Sequence, residues 1–178
     1  MARTWLSIQV ELVEGRGETF WPRPGRVMVA ARSHTFAALA VAIDDAFARW
    51  DRSHLHQFWG PDGQRATTRT PWGDFDEDDE AVDDKLLKLG SLKPGDQFVY
   101  EFDFGDSWLH LCTVHDQRVN PIDVLGIVPP KPLPSWGWGQ IPDQYGRRWS
   151  DDDGQGRPPS DPHGRDLPAI GPWQRRLR

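Results

Sequence analysis

The sequence predicts an α+β fold: a mixed or antiparallel sheet, one main amphipathic helix on one of its faces, and a C-terminal Pro/Trp-rich arm. Three observations carry that expectation. Trp5–Val13 and Phe98–Phe104 alternate apolar and polar residues, the period of a strand with two unlike faces. Between them, Phe36, Leu39, Ile43, Phe47 and Trp50 recur at helical spacing, an apolar stripe that would pack on the sheet. After Val119 the texture changes, and ten of the sixteen prolines fall between Pro129 and Pro172.

At 178 residues the chain suits one domain with an appendage. We expect the domain to span residues 1–149, with 121–149 as an irregular ordered arm whose Trp side chains lie on it. Ser150–Arg178 is rich in Asp, Arg, Gly and Pro and poor in apolar residues, the composition of a disordered tail. A net charge of −6 argues against a nonspecific hold on nucleic-acid phosphates by the whole molecule. The single cysteine, Cys112, excludes an internal disulfide and a multi-cysteine zinc site, and fits a reducing cytoplasm. No stretch is long and apolar enough to span a bilayer as a helix, so no membrane partner is expected.

Taken in order, Trp5–Val13 is a half-buried strand and Glu14–Gly17 a turn. Pro22 and Pro24 make Thr19–Arg26 an edge or a bend, with Arg23 and Arg26 as surface charges. Val27–Ala31 is a second strand. Ser33 caps a helix of about four turns, with Asp44, Asp45 and Arg49 on its wet side. His54-Leu55-His56-Gln57-Phe58-Trp59 follows as a strand. Asp74–Asp84 holds eight acids in eleven residues. It fails as a calcium loop, since Asp79 stands where glycine is needed and Lys85 where a bidentate Glu is needed. A short helix is expected over Asp84–Leu89, with Gly90 ending it.

Phe98–His115 is the stretch around which the chain is organised. Gly105-Asp106 is a pair that closes two-residue hairpins. Taking it as the loop sets Phe102 across from Leu109 and Glu101 across from His110. Phe98, Tyr100, Phe102, Leu109 and Leu111 then share the core face, while Glu101, Asp103, Trp108 and His110 share the outer face. Two carboxylates and an imidazole beside a Trp make either a solvated sheet surface or a site. If a site, it lies where His54 and His56 meet that outer face, with Asp106 at the loop tip. His54, His56, Asp103 and His110 have the donor types that suit zinc or manganese, so a divalent-metal cofactor is a candidate. The alternative is that these groups bond one another and that Asp103 and Asp106 cap the turn backbone.

Tyr100-Glu101-Phe102-Asp103-Phe104-Gly105-Asp106-Ser107-Trp108-Leu109-His110 resembles the YxYDFGDxWxH signature of the plasmid pRiA4b ORF-3-like family. His54-Leu55-His56-Gln57-Phe58 is similar to its HLHxF element, and Trp21-Pro22-Arg23 resembles its WRR segment. The likeness covers roughly residues 4–145. Of the family's cysteine-containing CPPED-type segment, Val128-Pro129-Pro130 keeps only the prolines. The resemblance implies a domain carried on plasmids and by insertion elements, and it implies a fold and a site rather than a reaction.

The chain carries no nucleophile–base signature and no phosphate-binding glycine loop. The leading functional expectation is therefore a non-enzymatic binding module that serves a mobile element through protein or nucleic-acid contacts. The alternative is a metal-dependent hydrolase using His54, His56, Asp103, Asp106 and His110, in which a metal would activate water.

Overall fold

The computed structural model describes residues 5–69 and 80–147, together with 152 and 155. The strands are β1 (Trp5–Gly15), β2 (Glu18–Thr19), β3 (Gly25–Ala31), β4 (His56–Trp59), β5 (Arg65–Thr67), β6 (Val82–Asp83), β7 (Gln97–Phe102), β8 (Trp108–Val114) and β9 (Leu133–Trp138). They form one nine-stranded sheet in the order β6-β5-β4-β7-β8-β1-β3-β9, with β2 paired to β1. The pairings are antiparallel except β5 with β6, so the sheet is mixed. The helices are α1 (Phe36–Ala46) and the short α2 (Pro121–Leu125).

Alternation builds the inner face. Leu6, Ile8, Val10 and Leu12 of β1, Phe98, Tyr100 and Phe102 of β7, and Phe58 of β4 are all buried. Phe36, Leu39, Ala40, Ile43 and Phe47 close over them from α1 and the turn after it. The rings meet edge to face, with Phe36 at 5.0 Å from Phe58 and 5.8 Å from Phe98, the geometry that aromatic quadrupoles favour.

The hairpin register departs from the expected one. Phe102 pairs with Trp108, Glu101 with Leu109 and Tyr100 with His110. The one-residue slip turns β8 over: Trp108, His110, Cys112 and Val114 face the core, and Leu109 and Leu111 face outward. The cause is a longer loop. Asp103 and Ser107 both take left-handed backbone (φ 60° and 50°), and the Ser107 N–H donates to the Asp103 carbonyl at 2.6 Å. Asp103 Oδ1 accepts from the Gly105 N–H at 3.0 Å. Asp tolerates that backbone and bonds its own loop, so these residues close the hairpin in place of a tight Gly105-Asp106 pair.

Other expectations are corrected in the same physical terms. Thr35, not Ser33, caps α1, accepting from the Ala38 N–H. The helix stops at Ala46 because Ala48 turns left-handed (φ 56°). That turn swings Arg49 inward, and Asp44, within α1, accepts from the Tyr100 hydroxyl, so both are buried rather than wet. Arg26 is fully buried. Its guanidinium donates to the Gly25 and Trp138 carbonyls at 2.6 and 2.7 Å and reaches the Ala46 carbonyl at 3.4 Å, tying the last turn of α1 to β9. Asp84–Leu89 forms no helix; a turn leads from β6 to a 3-10 turn at Leu89–Ser91.

The arm is more regular than its prolines suggest. α2 is capped by Asn120, and β9 adds an edge strand, where Pro134 is tolerated. Residues 74–79 of the acidic run, Trp149 and the expected tail at Ser150–Arg178 (Asp152 and Gln155 apart) lie outside the described residues. No described helix is long and apolar enough to cross a membrane.

Candidate functional site

The HLH segment and the hairpin do meet, but their polar side chains divide among separate partners. His54 lies just before β4. Its Nδ1 stands 3.4 Å from Asp103 Oδ1, and its Nε2 is 2.6 Å from the Tyr145 hydroxyl. That hydroxyl donates to Asp51 Oδ2 at 2.7 Å, so toward His54 it can only accept. Burial, then the Asp51 carboxylate, pushes the Tyr145 phenol up to about 12. The Ser53 hydroxyl, then Tyr145, holds the Asp51 carboxyl well below the usual range.

His56 goes elsewhere. Its Nε2 is 2.6 Å from Oδ2 of the fully buried Asp84, whose other oxygen accepts from Thr68 at 2.9 Å. Glu101 lies on the outer face, held between the Gln57 amide at 2.6 Å and the Ser107 hydroxyl at 2.9 Å. Asp106 faces Arg16 at 3.9 Å, and its carbonyl accepts from the Arg16 N–H at 2.7 Å. The loop therefore docks on the β1–β2 turn.

Trp108 and His110, expected outside, are in the core. The Arg49 guanidinium lies 3.7 Å from the centre of the Trp108 ring, and a Cβ at Gly15 would stand inside that ring. Only glycine lets β1 pass there. His110 packs against Phe47 and Tyr100, with ring centres 4.7 and 5.4 Å away. Its Nδ1 is 3.2 Å from the Tyr100 carbonyl, which accepts. Burial, reinforced by the Arg49 charge, depresses the imidazole to about 3. Nearby, the Tyr100 hydroxyl donates to Asp44 Oδ1 at 2.8 Å. Burial raises the Asp44 carboxyl to about 6, against that hydrogen bond and the Arg52 charge.

Of the four candidate metal ligands, then, the structure brings together His54 and Asp103 alone. His56 is turned to Asp84 and His110 faces the core. Asp51 also approaches His54, at 3.5 Å, but from the opposite ring nitrogen to Asp103, so the three cannot share one ion. Among the described residues, no three His, Cys, Asp or Glu side chains are grouped to hold a metal. These residues do not fit a metal centre.

The residues sequence reasoning missed are those of the arm. Gln144 is fully buried. Its Oε1 accepts from the Trp50 and Asp51 N–H groups at 2.9 and 3.0 Å, and its Nε2 donates to the Asp51 carbonyl at 3.0 Å. Arg147 stacks on Trp50 at 4.2 Å and pairs with Asp143 at 3.1 Å. The Ile141–Gly146 stretch thus works as a clasp on the segment that follows α1. An amide that reads backbone groups leaves no periodic trace in a sequence.

A different feature faces solvent. On the side of the sheet away from α1, register sets Trp59 beside Val99, Val99 beside Leu111, and Leu111 beside Glu11. Leu109 sits between Glu101 and Glu14. Trp59 is 42% exposed, and Val99, Leu109 and Leu111 are half-buried. This face is open.

A family model described as Plasmid pRiA4b ORF-3-like protein matches residues 6–125, from β1 to α2, and stops before β9 and the clasp. No curated protein matches the chain. Among solved structures, the chain is similar to a protein of unknown function from Methanosarcina mazei, at 21% identity and a TM-score of 0.49. That similarity covers 75% of this chain and 63% of the other, so the chain spans less than two thirds of its length.

Proposed function

We propose that this chain, which belongs to the plasmid pRiA4b ORF-3-like family, is a non-enzymatic protein-binding module that accompanies mobile elements. The observation that carries the reading is the open sheet face. A contiguous apolar band that, among the described residues, lies outside the packed core suits partner burial, and Trp59 is the residue type that anchors such contacts. The plasmid in the family's description supports the mobile-element setting. The metal-hydrolase alternative draws no support from the site, because His56 and His110 are each engaged away from Asp103. The signature residues serve the fold: His54 and Gln57 tie β4 and its entry to the hairpin, and Asp103 shapes the loop.

In-cell photo-crosslinking tests this. A photoreactive amino acid in place of Leu111 should give a discrete protein adduct. The same substitution at the exposed Leu86, away from the open face, should not. No adduct at position 111, or the same adducts at both positions, removes the reading.

A further inference from the structure

We infer that the open face takes a cationic segment of another protein, one with Lys or Arg set among aliphatic or aromatic residues. This rests on the binding-module reading and names the partner's chemistry. The apolar stripe Trp59–Val99–Leu111, with Leu109 beside it, is bracketed by carboxylates. Glu11 is the register partner of Leu111, and Glu101 and Glu14 are the register partners of Leu109 on its two sides. Directly opposite residues stand about 5 Å apart at Cβ, so each carboxylate borders the stripe.

Their charge is not neutralised by any described residue. Glu11 and Glu14 make no ion pair or side-chain hydrogen bond with any described residue. Glu101 is held by two neutral donors, Gln57 and Ser107, which orient it and leave its charge intact. Arg65, at the β5 margin, lies 5.9 Å from the Trp59 ring.

These charges choose among occupants. A second copy would oppose carboxylates to carboxylates, between chains that each carry −6, and like charges across an interface cost several kcal/mol. Nucleic acid and anionic membrane are repelled for the same reason. A neutral apolar partner would bury the stripe but strip water from the carboxylates without replacing it. A cationic amphipathic segment satisfies both the stripe and its border, and electrostatic steering would speed its arrival.

The test titrates the full chain into a fluorescein-labelled synthetic peptide of alternating lysine and leucine, read by anisotropy. Two companion peptides carry glutamate for lysine or serine for leucine. The lysine–leucine peptide should bind and the other two should not. Glu11→Gln/Glu14→Gln should weaken binding about tenfold, as loss of two rim charges of about 0.7 kcal/mol each would, and the difference should shrink in high salt. Leu111→Ser should weaken it as well. Glu80→Gln/Asp123→Asn removes two exposed charges elsewhere and should leave binding unchanged. The charge variants should melt like the parent, and Leu111→Ser, at a half-buried position, should still unfold in one cooperative transition.

Equal binding by the glutamate or serine peptide overturns the inference. So does unchanged affinity in Glu11→Gln/Glu14→Gln, or loss in the control variant. Self-association in sedimentation that Leu111→Ser abolishes would make the face a homotypic interface; the inference then fails while the binding-module reading stands. A position-111 adduct that proves to be an acidic protein separates the two in the same way.

Discussion

The two faces of this sheet come from the same strands under the same alternation, yet each holds what simple hydrophobic sorting would assign to the other. The inner face buries Tyr100, His110 and Arg26, with Asp44 and Arg49 brought in from α1 and its turn. The outer face displays Trp59, Val99, Leu109 and Leu111. Inside, several polar groups have fixed partners, although Arg49 Nε and Nη2, the Trp108 indole nitrogen and His110 Nε2 have no hydrogen-bond partner among the described residues. Arg26 donates to three carbonyls, Tyr100 to Asp44, and His110 sits beside the Tyr100 carbonyl as a neutral ring. Outside, apolar groups remain because nothing in the described chain covers them. On the proposed reading one face carries stability and the other recognition, and that division can be broken from either side.

The largest effect should come from emptying the inner face. Phe102 is 1% exposed, under the His54 ring at 5.9 Å and paired with Trp108. Phe102→Ala should cost about 3–5 kcal/mol, the usual loss on truncating a buried Phe, measured by urea denaturation. A loss below about 1 kcal/mol would mean that this face is not the core.

A smaller effect tests how the inner face holds ionisable groups. His110 is depressed from 6.5 to about 3. The unfolded chain therefore takes up a proton as pH falls through 6.5 while the folded protein does not, and this part of stability is lost on acidification between those values. Asp44 is raised from 3.8 to about 6. Its contribution has the opposite sign, present below 3.8 and lost as pH rises through 6. Between pH 4 and 6 the two nearly cancel. His110→Phe, an aromatic among Phe47 and Tyr100, removes one of them. Relative to the parent, that variant should gain about 2 kcal/mol on going from pH 6 to pH 4, at roughly 1.4 kcal/mol per unit of pH. Parallel stability curves for the two proteins would show that His110 is not held neutral.

The sequence made β1, β3, β4, the presence of α1 and the aromatic row of β7 legible, because alternation and helical spacing report burial directly, while β5, β6 and β9 carry no such pattern. It misassigned β8 because register depends on the loop. A left-handed Asp103 and Ser107 lengthened the hairpin by an amount no apolar pattern encodes, and a single step exchanges the faces. The same slip is why the candidate residues did not assemble as expected. His54 and Asp103 meet and Glu101 stays on the outer face as expected, but His110 and Trp108 went inward and Asp103 is buried in the loop. Arg49 was misplaced because a left-handed turn at Ala48 sits outside the 3.6-residue period, and Asp44 because its partner, the Tyr100 hydroxyl, comes from a distant strand. The Gln144 clasp was illegible because its partners are backbone groups.

The smallest effect falls on the outer face. Leu111 lies in β8 between Val99 and Glu11 and is half-buried. A Leu with one side in water loses little on truncation, so Leu111→Ala should cost less than about 1 kcal/mol, against about 2–5 for a Leu inside a core. The same strand supplies its own control, since Cys112, one residue on, is fully buried. Alternation along β8 should therefore appear as alternation in stability loss, with position 111 tolerant and position 112 sensitive to enlargement or charge. If Leu111→Ala costs as much as Phe102→Ala, the outer face is covered, its stripe belongs to a second core, and an open recognition surface is ruled out. If the cost is small while the position-111 adduct forms in cells, this half-buried leucine is kept for something other than the fold.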